Sequence, residues 1–83
     1  MNIKLFYKTQ RELAEVLNQL IDKYWGNEVD ENELLQHINN LYLNNPSKIK
    51  KGDEYTSILQ QICGKRRLDV INRILNNKED INA

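Results

Sequence analysis

The chain has 83 residues, twelve basic and twelve acidic side chains, a formal net charge of zero, one cysteine and one histidine. That length makes one small domain with a marginal core, and a single cysteine excludes an internal disulfide as its support. Zero net charge argues against indiscriminate polyanion binding. No run approaches the ~20 apolar residues of a membrane span, and the N-terminus lacks the pattern of a signal peptide.

Residues 1–8, MNIKLFYK, alternate enough for a short extended arm. One strand without a partner either packs as an arm or pairs with another molecule. The next stretch, TQRELAEVLNQLIDKYWGN, predicts a helix over residues 10–25. Thr9 caps it and Glu12 completes a capping box. Leu13, Val16, Leu17, Leu20, Ile21 and Tyr24 share one face at helical spacing, and Gly26 is the expected stop. In VDENELLQHINNLYLNNP the logic repeats over residues 31–44, with Asp30 as cap, Glu33 returning the box and Asn45-Pro46 as the end. Leu34, Leu35, Ile38, Leu41 and Tyr42 form its apolar face, whereas Leu43 points away. Residues 9–45 therefore read as a helical hairpin.

PSKIKKGD, residues 46–53, reads as a basic loop, with Asp53 capping a third helix over residues 54–63. Whether that helix continues through Gly64 is a question of phase. Tyr55, Ile58, Leu59, Ile62 and Cys63 centre on one direction of the helical wheel, and Leu68, Ile71, Ile74 and Leu75 centre roughly 160° away. A break at Gly64 lets both sets reach one core. The fourth helix then spans 65–77, and residues 78–83 form a polar tail expected to fray. The fold class is all-α: a small four-helix domain of two helical hairpins, with an N-terminal extended arm.

Charge is segregated along this chain. Residues 9–45 carry seven carboxylates against two cations, and residues 46–67 carry six cations against two carboxylates. Within the basic stretch, Lys65, Arg66 and Arg67 open the last helix, where the helix dipole least favours positive charge. Glu12, Glu31, Glu33 and Glu54 all obey the dipole rule. Local rules broken in an otherwise consistent sequence mark functional sites, and free N–H groups at that helix start favour an anion. The candidate partner- or anion-binding set is Lys65, Arg66 and Arg67, with Lys48, Lys50 and Lys51 from the loop and Arg73 farther along the helix. Three uses compete: internal pairing with the acidic hairpin, a protein partner or second copy of the chain, and nucleic acid read by a helix-turn-helix-like unit.

Catalysis has little to work with. His37 has no nucleophile or orienting carboxylate placed beside it by a motif, and Cys63 lies on an apolar face, where cysteine acts as a small hydrophobe. One Cys and one His cannot make the usual zinc site. EVDENE lacks the glycine and alternating ligands of a calcium loop, and no glycine-rich phosphate loop is present. Trp25 is expected in the core or as a lid on it, with an interface anchor as its other use. The expectation is a non-enzyme without metal or cofactor, in a reducing, cytoplasmic compartment.

KTQRELAEVLNQLIDKYW and CGKRRLDVINRIL together resemble an uncharacterised family of short helical proteins from low-GC Gram-positive bacteria and their mobile elements, over about residues 4–76. The resemblance implies a stand-alone cytoplasmic protein and assigns no catalytic or binding residue. The resulting expectation is a small protein-interaction module, regulatory or inhibitory, able to form a homodimer. The alternative is a nucleic-acid binder using the basic start of the last helix.

Overall fold

The computed structural model describes residues 3–81, with side chains through residue 76. Its elements are α1 (Gln10–Trp25), α2 (Glu31–Asn44), α3 (Pro46–Ile49), β1 (Lys50–Lys51), β2 (Glu54–Tyr55) and α4 (Ser57–Ile81). Among the described residues the protein is mostly helical, with four helices and one small antiparallel sheet.

Two of the three expected caps are formed. The Thr9 hydroxyl accepts from Glu12 N–H at 3.1 Å, and the Asp30 carboxylate accepts from Glu33 N–H at 2.8 Å. The end of α1 differs from expectation. Gly26 has φ −86, and the left-handed residue is Asn27 at φ 64. Asparagine tolerates this region through its short polar side chain, and the N–H groups of Gly26, Asn27 and Glu28 close on the carbonyls of Asp22, Tyr24 and Lys23.

Residues 46–56 correct the sequence reading most. The expected basic loop holds a helical turn and a hairpin. Pro46 ends α2 and occupies the first turn of α3, where its missing N–H costs nothing. Lys51 then pairs with Glu54 across the two-residue turn Gly52-Asp53. Gly52 has φ 67, and glycine at the first turn position permits the tight reversal that matches strand twist. Pairing extends Glu54 and Tyr55, so Asp53 cannot cap a helix there. The helix starts at Ser57, and the Thr56 hydroxyl donates to the Lys48 carbonyl at 3.0 Å.

Within α4, Gly64 takes φ 77 and ψ 169, dividing it into segments 57–63 and 65–81. Few residues but glycine adopt this conformation. Two carbonyls near the break find side-chain donors: Asn18 Nδ2 reaches Ile62 O at 3.0 Å, and Arg67 Nη1 reaches Cys63 O at 3.3 Å. The helix is assigned through Ile81, and residues 82–83 of the expected tail lie outside the described residues.

The break brings both apolar sets of α4 to one core. Leu59 and Cys63 from the first segment, and Ile71, Ile74 and Leu75 from the second, are buried with Leu13, Leu17, Leu20 and Ile21 of α1 and Leu34, Ile38 and Leu41 of α2. The described part of the N-terminal arm forms no strand. It docks on buried Asn45, whose amide donates to Leu5 O at 2.6 Å and whose oxygen accepts from Tyr7 N–H at 3.3 Å. Tyr7 is buried, while Leu5 and Phe6 stay exposed.

Candidate functional site

Three elements form a groove of about 630 Å³. Tyr24 and Trp25 come from the end of α1; Glu31, Leu34 and Leu35 come from the start of α2. The second segment of α4 contributes Arg66, Asp69, Val70, Arg73 and Ile74. Aliphatic, aromatic and charged side chains line it together. Trp25 is 44% exposed, contrary to its expected place in or over the core. It stands last in α1, where the core-facing stripe runs out.

The Arg66 guanidinium lies 5.5 Å from the Trp25 ring centroid and the Arg67 guanidinium 5.8 Å, a spacing at which the ring quadrupole attracts a cation. These neighbours differ in their other contacts. Arg67 forks onto Asp22: Nη2 donates to both carboxylate oxygens, at 2.8 and 3.0 Å, and Nε donates to Oδ1 at 3.0 Å. It thus couples the acidic α1 to the second segment of α4. Arg66 is exposed and has no carboxylate partner among the described residues.

The other candidate cations do not gather at this groove. Lys65 lines a second depression together with Asp53, Glu54 and Asp69. Lys50 lies 5.2 Å from the Tyr55 ring centroid, Lys51 is exposed opposite Glu54, and Lys48 sits on α3. Arg73 alone of the remaining set joins Arg66 at the groove. The triplet that is contiguous in sequence is therefore divided into one cation beside carboxylates, one on the tryptophan and one pinned to Asp22.

Burial raises the Cys63 thiol to about 11, with the Arg67 guanidinium acting in the opposite direction. Its Sγ lies 3.7 Å from Ala14 O. A thiol kept protonated in this way is a poor nucleophile. His37 Nε2 is 4.0 Å from Glu33 on the same helix, and neither belongs to the groove. Among the described residues no three His, Cys, Asp or Glu side chains stand together as a metal site, and no helix is long and apolar enough to cross a membrane.

Sequence reasoning identified Arg66 and Arg73, kept an interface anchor as the second use of Trp25 and assigned Leu35 to the apolar face of α2, but it did not bring them together and missed Val70. The available signal was the exposed end of α1: Tyr24-Trp25 directly precedes the turn into α2. Fold and groove together define a small helical protein with a groove lined by aromatic, aliphatic and arginine side chains. The chain belongs to the family described as "conserved hypothetical protein", which matches residues 4–76. No curated protein and no solved structure matches it.

Proposed function

We propose that the chain is a small non-enzymatic interaction module, regulatory or inhibitory, that binds another protein through the Trp25–Arg66 groove. The observation that supports this reading is a tryptophan left 44% exposed in an 83-residue chain, beside an arginine without a carboxylate partner among the described residues. Tryptophan and arginine dominate the energetics of protein interfaces. Arg66 keeps its charge available, while the ring holds its guanidinium in place at little entropic cost.

The source is a low-GC Gram-positive bacterium or its mobile elements, in keeping with an Asn-, Ile-, Lys- and Leu-rich composition. A buried free cysteine suits the cytoplasm of such a cell.

The second reading is a helix-turn-helix-like nucleic-acid binder. Its support is that Lys65 and Arg66 are exposed at the start of the helical segment after Gly64. Against it stand the Arg67–Asp22 fork and the carboxylates of Asp53, Glu54 and Asp69, which line the same depression as Lys65.

The test is affinity capture with the full chain, then calorimetric titration of the purified captured protein against wild type, Trp25→Ala and Arg66→Ala. Loss of at least about tenfold in affinity with each variant, with cooperative unfolding retained, is the expected result for anchor residues. Unchanged affinity would overturn the groove as the site. Sub-micromolar binding of wild type to duplex DNA, falling steeply with salt, would establish the second reading instead.

A further inference from the structure

We infer that Gly64 is a hinge at which the chain exchanges its last helical segment with a second copy of itself, giving a domain-swapped dimer. Segment 57–63 and segment 65–81 follow each other with only Gly64 between them. If Gly64 took helical angles, α4 would become one rod of 25 residues, about 37 Å long at 1.5 Å per residue. The longest dimension of the domain is 30 Å. A straight rod therefore does not fit within the closed body.

Phase makes the same demand. On a straight rod, Ile58, Leu59, Ile62 and Cys63 face one way, and Leu68, Ile71, Ile74 and Leu75 face roughly 160° from them. The first set remains on its own α1. The second set, of which Ile71, Ile74 and Leu75 are buried and Leu68 partly buried in the closed chain, would be stripped from its own core. The surface of complementary shape for it is the vacated α1–α2 site of another copy. Exchange restores every contact made by the second segment, including the Arg67–Asp22 fork, now between chains. A symmetric pair closes on itself, so assembly stops at two.

The connection between the two segments is a single residue whose conformation only glycine readily supplies. Gly64 occupies a region of the backbone map reserved almost wholly for glycine. A single-residue connection under such constraint is the kind of hinge that invites swapping. A Cβ built on Gly64 meets nothing within 4 Å. Gly64→Ala therefore tests backbone conformation without introducing a clash.

The groove ties this equilibrium to recognition. Trp25 and Leu34 belong to the stationary part, and Arg66, Val70 and Ile74 to the exchanged part. In the swapped dimer each groove is built from two chains. The inference does not depend on what the groove binds.

The experiment is light scattering of Gly64→Ala in solution. The helical preference of alanine and its exclusion from the Gly64 conformation favour opening by at least about tenfold per hinge, so the dimer is strengthened about a hundredfold for two hinges. The expected species is a dimer with wild-type helix content. Inserting a second glycine after Gly64 is expected to keep the chain monomeric. Exchange is distinguished from face-to-face pairing by charge reversal in the Gly64→Ala background. One chain carries Asp22→Arg and the other Arg67→Asp, so each is repulsive alone. If segments are exchanged, the mixed dimer has complementary charges at both junctions and forms above the statistical half. Mixing at that statistical proportion, or a folded monomeric Gly64→Ala, would overturn the inference. If that variant does not fold, wild type refolded at millimolar concentration decides. A dimer that persists on dilution supports exchange, and monomer alone overturns it.

Discussion

The helices of the α1–α2 hairpin and the broken α4 solve the problem of helix ends by different means. In the first two, Thr9 and Asp30 satisfy N–H groups three residues ahead of themselves. In the third, the donors near Gly64 include Asn18, 44 positions from its acceptor Ile62. Arg67 spans 45 positions to Asp22 while also reaching the Cys63 carbonyl. Local ends form whenever their own turn forms. The break in α4 is stable only when α1 is already beside it, so its geometry is a tertiary property.

The largest effect is expected in the core that joins the two regions. Ile71→Ala, at a fully buried site of the second α4 segment, is expected to cost about 3 kcal/mol. Denaturant unfolding measures the loss. Hydrogen exchange should show amides after Gly64 losing protection before those of α1. Asn45→Ala comes next, at about 2 kcal/mol, because it removes bonds to Leu5 O, Tyr7 N and Leu41 O at a buried position. Exchange at Tyr7 N–H should rise more than at any amide of α1.

Smaller effects sharpen the contrast. Thr9→Ala and Asp30→Ala should cost about 1 kcal/mol each, and thermal melts of the double variant should show additivity, as expected of independent caps. Arg67→Gln should cost about 0.5 kcal/mol, since its side chain is 30% exposed and that of Asp22 50% exposed. Comparing low and high salt should show that loss shrinking, whereas a local cap is nearly insensitive.

Cys63 gives the smallest effect at neutral pH. Its thiol should resist a thiol reagent at pH 8 without unfolding. The folded value of about 11 exceeds the ordinary 9.0. The stability gained by keeping the thiol protonated is therefore complete below about pH 9 and lost as pH rises through about 11. Alkaline denaturation of wild type should steepen relative to Cys63→Ala over that window. Tyr7 and Tyr55, also raised by burial, titrate in both proteins.

Much of the hairpin was legible because its signals are short. Caps, apolar stripes and the proline after Asn45 all act within a turn or two. Gly64 was legible for a different reason: two apolar stripes out of phase cannot share one straight rod and one core. Residues 46–56 were harder because lysines dominate the composition there. The Gly52-Asp53 turn was nevertheless a usable hairpin signal. The groove was least legible. Arg66 and Arg67 are adjacent and chemically identical, and only the tertiary position of Asp22 separates a structural arginine from an available one.

Trp25 is the only tryptophan in the chain, and it stands where α1, α2 and the second α4 segment meet. Its indole emission is thus a built-in optical gauge. Guanidinium contact at 5.5 and 5.8 Å and partial solvent access together set its colour and yield. Removal of the α4 wall would leave it in water and shift the emission to longer wavelength. A ligand covering the ring would shift it the other way. One unlabelled cuvette measurement would report whether the groove is open, closed or filled.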